Sequence, residues 1–362
     1  MQQRHEARGS YQVPSCQSYR VFGIGLPRTG TLSLSIALNS IGIPTVHGAY
    51  EMFPGALDLS HTIYHEYRGF VDTPFYLLFD ELNARYPDSK FILTTRSLDR
   101  WLDSCATLWE YKTAAFPQNH PVWLYAAMTF GTHSYNSRRF GEVYHQHREF
   151  VDRFFASVDK SRCLTLDLDA GYDLWHVLAT FLQVSQPTGQ YPHTHSSDQL
   201  RRGLRKLQPV SAPDATLVST PCSMLVRQFE HWTVSHSSDL QILGYLIVSS
   251  RNQNSTLSNL PDGPRSELAH VLAWVYSAVK RLTVSQKVYI LALEEDSSVL
   301  QLHIVPRPKF IHDKGASFLL NLRDNLYKTR SSSVIQLLHE LSSLPGQTPP
   351  KRGTRNDFWT IS

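Results

Sequence analysis

The chain has 362 residues, of which 41% are hydrophobic and 18% are charged, and its formal net charge is +4. Because one hydrophobic core usually stops growing below this length, we expect two domains, and the composition excludes a wholly disordered chain. The positive charge is not gathered into a block rich in lysine or arginine, which argues against a nucleic-acid partner.

The first 18 residues are predicted to form an N-terminal extension. They lack the apolar core of a signal peptide, and no later stretch reaches the roughly 18 consecutive apolar residues that span a bilayer. We therefore expect no membrane partner and a cytoplasmic location. The cysteines are too widely spaced for a zinc site or a disulfide framework, which fits a reducing compartment and predicts no metal. They are Cys16, Cys105, Cys163 and Cys222.

From Tyr19 to about Gln183, within a domain predicted over residues 19–197, short apolar runs alternate with amphipathic segments, a pattern typical of a parallel α/β sheet. This order predicts an α/β nucleotide-binding domain. The predicted strands are Val21–Leu26, Ile43–His47, Gly69–Asp72, Lys90–Arg96 and Arg162–Leu168. The predicted helices are Gly30–Ile41, Phe75–Tyr86, Leu98–Leu108 and Leu174–Leu182, with a mainly helical region at 121–158.

Residues 198–220 are predicted to form a linker, because the sequence around them is polar and rich in Ser, Thr, His and Pro. Strands gathered around one long helix then predict a separate α+β domain over residues 221–328. Residues 329–362 are predicted to hold a C-terminal helix, near Ser333–Leu341, and a tail. The strands of the second domain are predicted at Met224–Arg227, His231–Ser235, Gly244–Val248, Val288–Leu293 and Val299–Val305, and its helix at Pro264–Leu282.

An anion site is predicted where the first strand turns into the first helix, in VFGIG followed by LPRTGTLSLS. The first amides of a helix have no partner within it, so the N–H groups of residues 29–32 would face a phosphate. Gly25 and Gly30 have the spacing of a P-loop, but its lysine and its magnesium-binding Ser/Thr are missing. Arg28 supplies a cation instead, which suits a donor that needs no metal. A plain strand-to-helix turn is the alternative.

A second anion-binding element is predicted at the end of the next buried strand, in KFILTTRSLDRWLDSC. Arg96 lies at the carboxyl end of this strand, and Ser104 lies about two turns into the following helix. Ligands of open parallel sheets bind outside these strand ends, so both side chains could reach one phosphate. The alternative is a helix cap and a surface ion pair.

These segments resemble the sulfotransferases, specifically the bacterial and fungal type with LPRTGT in place of the commoner lysine-containing loop. The resemblance covers about residues 20–195 and includes GFVDTP, FGEVYHQHREFV and QYPHTHS. It implies a metal-free enzyme that takes sulfate from the co-substrate 3′-phosphoadenosine 5′-phosphosulfate (PAPS) and transfers it to a small-molecule acceptor. It also implies that Arg96 and Ser104 hold the 3′-phosphate. The implied ligands of the 5′-phosphosulfate are Pro27, Arg28, Thr29, Gly30, Thr31, Leu32 and Ser33.

Sulfuryl transfer needs a base for the acceptor and a cation for the charge that develops on the departing phosphate. Arg28 is the candidate cation. His47 and Asp72 are the candidate bases, because each stands at the end of a predicted strand. The match to the family's Asp-x-Pro sequence slightly favours Asp72. His47 is favoured by its residue type, because histidine ordinarily titrates closer to neutral pH than aspartate. The alternatives are a packed core histidine and a carboxylate that caps the helix predicted from Phe75.

The remaining paired histidines are not predicted to bind metal. His145 and His147 are two residues apart on a predicted helix, so their side chains diverge. His193 and His195 are interpreted as loop structure or as part of a cleft wall.

The segment from Met224 to about Pro308 resembles the histidine-triad (HIT) nucleotide hydrolases and transferases. That family has three alternating histidines before Pro-Arg, and the middle one is the nucleophile. Here the three positions hold Val299, Gln301 and His303, so the resemblance implies a degenerate HIT-like domain. A glutamine amide cannot serve as the nucleophile, and we expect no phosphohistidine catalysis.

Three roles are left open for this second half: an inactive domain that binds a nucleotide or the acceptor, a dimerisation or packing module, or a catalyst with unidentified residues. The first would make a nucleotide-like acceptor an option, and the second a homodimer. For the whole chain the leading hypothesis is a PAPS-dependent sulfotransferase. The rivals are a nucleotide-binding protein without catalysis and a P-loop kinase-like phosphotransferase, which the missing lysine disfavours.

Overall fold

The structure is a computed structural model. The contacts between its residues divide the chain into two compact units. The described residues are 19–193, 201–202, 223–237, 242–253, 255–292, 299–311, 313–322 and 331–345. The first unit comprises 1–49, 58–101 and 151–196, and the second comprises 50–57, 102–150 and 197–362. The predicted N-terminal extension, most of the predicted linker and His195 lie outside the described residues. The domain boundaries drawn from the sequence stay a prediction.

The first unit is built on a sheet of five parallel strands. The strands are β1 (Val21–Gly23), β2 (Thr45–His47), β3 (Gly69–Val71), β4 (Lys90–Thr95) and β5 (Cys163–Asp167). Their order in the sheet is β2-β3-β1-β4-β5. The helices of residues 19–193 are α1 (Thr31–Ser40), α2 (Ile63–Glu66), α3 (Phe79–Arg85), α4 (Leu98–Ala115), α5 (Val122–Phe130), α6 (Ser137–Val158) and α7 (Leu174–Leu182).

Both faces of this sheet are buried, as expected for parallel strands joined by helical crossovers. Successive side chains alternate between the faces. On one face Phe22 stacks between Phe70 and Phe91, with ring centroids 5.2 and 5.3 Å away. On the other face a second core lies between the sheet and helices α1 and α7; its buried members include Val21, Leu34, Leu38, Val71, Ile92, Leu166 and Leu178. The sheet is therefore packed on both faces.

The predicted α/β architecture is confirmed, although the helices differ from the prediction at several points. Helix α2 (Ile63–Glu66) was not predicted. The helix predicted over Phe75–Tyr86 is a 3₁₀ turn at Phe75–Leu77 followed by α3. The amide of Leu77 bonds back to the carbonyl of Pro74 at 2.8 Å, an i→i−3 bond that winds the chain too tightly for an α-helix. Helix α4 also runs seven residues beyond the predicted end at Leu108, because Trp109 continues its buried stripe.

The second unit contains an antiparallel sheet, and the strands and the long helix predicted for this half are confirmed. The strands are β6 (Ser223–Gln228), β7 (Trp232–Ser237), β8 (Leu246–Ser250), β9 (Lys287–Ala292) and β10 (Gln301–Arg307), in the order β6-β7-β8-β10-β9. The helices are α8 (Asp262–Thr283), α9 (Ala316–Asn321) and α10 (Ser331–Ser343). Helix α8 packs on β7, β9 and β10, and α10 packs on β6 and α8. This half is therefore α+β.

The other face of the antiparallel sheet has a small core of its own, formed by Tyr245, Val305 and Phe318 with two isoleucines. The sheet is therefore covered on both faces over part of its area. Among the described residues no helix combines the length and the apolar character needed to cross a membrane.

Candidate active site

The turn between β1 and α1 is held in one shape by contacts from three other parts of the first unit. The indole of Trp101 donates to the carbonyl of Pro27 at 2.9 Å. Arg28 has a φ of 75° and Gly30 a φ of 95°, so the chain passes twice through the left-handed region. A Cβ at Gly30 would overlap the side chain of Leu168. Glycine is therefore required there both by the backbone and by the neighbour.

Thr29 stabilises the turn from inside, and its backbone N–H has a different partner from the one that the sequence predicts. Its N–H was expected to face a phosphate, but it donates to the carbonyl of Leu26 at 3.2 Å. Its hydroxyl donates to the same carbonyl at 2.7 Å and lies 2.7 Å from the hydroxyl of Thr94. The turn therefore closes on itself before α1 begins. Thr29 is buried and shapes the turn.

Helix α1 begins directly after this turn and presents its positive end there. Gly30 is the N-cap and has no side chain to cap the helix, so the first-turn amides at 31–33 are not capped from the N-cap position. Arg28 and Leu32 are partly exposed, whereas Ser33 is buried at 3% exposure. Bare helix amides and one arginine form a donor set suited to a phosphate or sulfate group.

The two predicted bases meet at the first residue of α1. The hydroxyl of Thr31 donates to Asp72 Oδ2 at 2.5 Å and lies 3.2 Å from His47 Nε2. His47 Nε2 and Asp72 Oδ2 are themselves 3.6 Å apart. The side chain of Asp72 is 6% exposed and that of His47 is 24% exposed. The structure therefore brings the loop and both candidate bases together.

Asp72 uses its two carboxylate oxygens differently. Oδ1 accepts from the N–H of Thr73 at 2.7 Å and from its hydroxyl at 3.0 Å, while Oδ2 faces Thr31 and His47. The carboxylate thus both caps the turn after β3 and enters the site. Asp72 has a φ of 75°, an uncommon conformation for a residue with a side chain. Ala49 donates to the carbonyl of Thr73 at 2.7 Å, which ties the segment after β2 to the segment after β3.

Arg96 lies at the end of a strand and Ser104 lies in the following helix, as the sequence predicts. Arg96 directly follows β4 and is partly exposed, and Ser104 lies in the second turn of α4 with 1% exposure. Beside Arg96, Asp169 accepts from the N–H of Ser97 at 2.8 Å and from Arg100 at 2.9 Å. Burial raises the pKa of Asp169, but these hydrogen bonds and the charge of Arg96 outweigh it and leave that pKa below its usual value. The role of Arg96 and Ser104 toward a 3′-phosphate stays a prediction.

His145 and His147, which are two residues apart on α6, have different surroundings. His147 is 1% exposed and its ring meets the ring of Phe310 edge-on at 4.8 Å, whereas His145 is exposed. The two side chains diverge as predicted. His193 is exposed. Within the described ranges, no three His, Cys, Asp or Glu side chains are close enough to hold a metal ion.

In the second half, two of the three positions of the histidine-triad pattern, Gln301 and His303, lie on β10. Gln301 is opposite Ser249 of β8, and His303 is opposite Ile247. His303 Nδ1 lies 2.5 Å from the hydroxyl of Tyr245. Burial lowers the pKa of His303 and raises that of Tyr245 to about 12, so both groups are held neutral near pH 7.

Three residues that shape the site were missed by the sequence reasoning. Thr94, Trp101 and Leu168 each contact the turn between β1 and α1, yet each belongs to another segment of the chain. Thr94 and Leu168 lie at the carboxyl ends of predicted strands beside the loop. This position is the feature of the sequence by which they could have been identified. Trp101 gave none, because an apolar side chain on a helix is ordinarily a core residue.

Comparison with known proteins finds one matching family and one curated relative. The family model described as a sulfotransferase domain matches residues 20–200, which is half of the chain. "Ava biosynthesis cluster protein M" of Aspergillus versicolor is 27% identical over 220 residues, covering 49% of this chain and 82% of that protein.

Among solved structures, similar chains include a Hit-like protein of Bartonella henselae involved in cell-cycle regulation, at 13% identity and a TM-score of 0.27. It covers 33% of this chain and 85% of its own length. A hypothetical histidine triad nucleotide-binding protein of Sulfolobus tokodaii has 14% identity and a TM-score of 0.26, and covers 33% of this chain and 81% of its own. These scores are too low to carry an argument.

Proposed function

Because the chain belongs to the sulfotransferase family, we propose that it transfers a sulfuryl group from PAPS to a hydroxyl or amine of a small-molecule acceptor. The observation that carries this proposal is the convergence of the anion-binding turn with His47 and Asp72 at one edge of the sheet. A phosphate site and a base within reach of each other are the two parts that the reaction needs.

The donor set of the turn fits the 5′-phosphosulfate of PAPS. The amides at 31–33 would donate to its oxygens, and Arg28 would balance the charge that grows on the departing phosphate. Leu168 and Thr94 leave room only for glycine at two positions of the turn, Gly30 and Gly25, which keeps the backbone close to the bound group. Arg96 and Ser104 are proposed to hold the 3′-phosphate.

In the proposed reaction the acceptor oxygen or nitrogen bonds to sulfur as the bond between sulfur and the 5′-phosphate oxygen breaks. The electron pair of that bond leaves on 3′-phosphoadenosine 5′-phosphate. The proton of the acceptor passes to the protein base and from there to solvent, so the balanced products are the sulfated acceptor, 3′-phosphoadenosine 5′-phosphate and one proton. PAPS supplies the sulfuryl group, and the residues of this chain orient it and take the proton.

We assign the base to His47 and make Asp72 its carboxylate partner, which reverses the order that the sequence slightly favoured. The Asp72 carboxylate already accepts three hydrogen bonds, from Thr31 and twice from Thr73, and is almost wholly buried. The His47 ring is four times as exposed. Once His47 has taken a proton, the carboxylate at 3.6 Å would stabilise the imidazolium.

The decisive experiment is calorimetry with PAPS and with 3′-phosphoadenosine 5′-phosphate, followed by a screen of small hydroxyl and amine compounds with ³⁵S-labelled PAPS. We expect both nucleotides to bind without magnesium and label to move to at least one acceptor class in the presence of EDTA. Binding without transfer to any acceptor would favour a nucleotide-binding protein. Binding of ATP with a strict magnesium requirement would favour the kinase-like alternative.

A further inference from the structure

The hydroxyl of Thr31 contacts both His47 and Asp72. It lies 2.5 Å from Asp72 Oδ2 and 3.2 Å from His47 Nε2, and the residue is 4% exposed. A threonine hydroxyl carries one proton and two lone pairs, so it can donate to only one of these neighbours. The direction of the hydrogen bonds is therefore constrained.

An ionised carboxylate only accepts, so the proton of Thr31 goes to Asp72. The remaining contact then requires His47 to donate through an Nε2–H to the lone pairs of Thr31, because two lone pairs at 3.2 Å would repel each other. In a neutral imidazole this leaves the lone pair on Nδ1. The chain of hydrogen bonds runs from His47 through Thr31 to Asp72.

We propose that Thr31 is a positioning residue that fixes His47 as the Nε2–H tautomer and so makes Nδ1 the atom that accepts the proton of the acceptor. This inference rests on the proposed function, in which His47 is the base. It also narrows the role of Thr31, a residue that the family resemblance assigned to the donor. The hydroxyl is committed to Asp72, and only the backbone amide of Thr31 is directed to the donor.

Thr31 connects the part of the site proposed to bind the donor with the proposed base. Its backbone begins α1, where the donor phosphosulfate is proposed to bind, and its side chain holds the base. Asp72 is fastened in turn by Thr73. Because the hydrogen bond between Thr31 and Asp72 is buried, its geometry is held more firmly than that of an exposed hydrogen bond.

The test compares Thr31→Val, which keeps the shape of the side chain and removes the hydroxyl, with Thr31→Ser, which keeps the hydroxyl. Thr31→Ala serves as a second deletion in case valine disturbs folding. Ser35→Ala is the matched control, since Ser35 is a buried hydroxyl residue one turn further along the same helix and is not among the predicted site residues.

Two readouts are needed. Nitrogen-15 NMR of histidine-labelled protein, with the His47 signal identified by its loss in His47→Gln, reports the tautomer without any donor present. Transfer kinetics with PAPS and calorimetry with 3′-phosphoadenosine 5′-phosphate separate turnover from donor affinity.

We expect wild type, Thr31→Ser and Ser35→Ala to show the Nε2–H tautomer, and Thr31→Val and Thr31→Ala to lose that preference. The deletions should lower kcat by about 10²-fold through misplacement of the base, with donor affinity changed by less than about threefold. Wild type with its proton on Nδ1 would overturn the inference, as would deletions that weaken nucleotide binding and leave the tautomer unchanged. If no protein transfers label, the proposed function fails, while the NMR comparison still decides the tautomer.

Discussion

His47 Nε2 lies 3.6 Å from Asp72 Oδ2, at the carboxyl ends of the neighbouring strands β2 and β3. The two residues are far apart in sequence and are joined by the parallel register that sets His47 opposite Val71, the residue before Asp72. A histidine beside a buried carboxylate is an arrangement that can take a proton and stabilise the charge that results.

We predict that His47→Gln lowers the transfer rate by about 10²–10⁴-fold, because a glutamine side chain cannot accept the proton of the acceptor. Asp72→Asn should lose less, about tenfold, since it removes the partner charge and retains the base; a tenfold loss corresponds to about 1.4 kcal/mol. Steady-state kinetics with labelled PAPS measure both, and calorimetry should show nearly intact donor binding. The opposite order of losses would make Asp72 the base.

Arg28→Ala is expected to weaken PAPS binding by about 1.5–3 kcal/mol, the usual worth of a hydrogen bond to a charged group, and to lower turnover further. The additional loss follows because the negative charge on the departing phosphate grows as sulfur is transferred. Arg85→Ala is the charge-matched control, since Arg85 is exposed on α3. Equal behaviour of the two variants would remove Arg28 from the site.

Gly30→Ala and Gly42→Ala separate backbone strain from crowding. Both glycines have positive φ, 95° and 79°, so alanine should cost roughly 1–2 kcal/mol of stability at either position. Only the Cβ at Gly30 would meet a neighbour, the side chain of Leu168, whereas among the described residues nothing lies within 4 Å of a Cβ at Gly42. We expect Gly30→Ala alone to lose binding of 3′-phosphoadenosine 5′-phosphate in calorimetry. Equal nucleotide affinity in the two variants would show that the turn does not touch the donor.

Arg96→Ala should lose the preference for nucleotides that carry a 3′-phosphate, because the charge of Arg96 is proposed to act on that group alone. The measurement is the ratio of affinities for PAPS and adenosine 5′-phosphosulfate, which should fall toward one. Affinity for the second compound, which lacks the 3′-phosphate, should barely change. An unchanged ratio would move the 3′-phosphate site elsewhere.

The second half should lose stability in mild acid through His303. Burial holds the pKa of His303 below its ordinary value of 6.5, so below that pH the unfolded chain binds a proton that the folded chain does not. The urea midpoint is therefore expected to fall as the pH drops from 7.5 to 5.5, and His303→Gln should reduce this fall. His339→Gln, at an exposed position on α10, should leave it unchanged. An identical pH dependence in wild type and His303→Gln would contradict the assignment.

The sequence by itself determined the type and order of the main elements, although not all of their ends. Apolar runs bounded by turn residues marked β1 to β5, and the rule that ligands bind outside the carboxyl ends of parallel strands directed attention to Arg28, His47, Asp72 and Arg96. These inferences are local, because each depends on a few consecutive residues. Side-chain periodicity and the donor chemistry of a helix N-terminus do not require knowledge of the strand order.

The tertiary structure decided which of these residues meet. Thr31 contacts Asp72 across 41 positions and His47 across 16, and Thr29 contacts Thr94 across 65. These contacts exist because β1 lies between β3 and β4, with β2 beyond β3, an order that no local pattern specifies. For the same reason the direction of the Thr31 hydroxyl, and with it the ring nitrogen of His47 that is left to act as a base, could be inferred only from the folded chain.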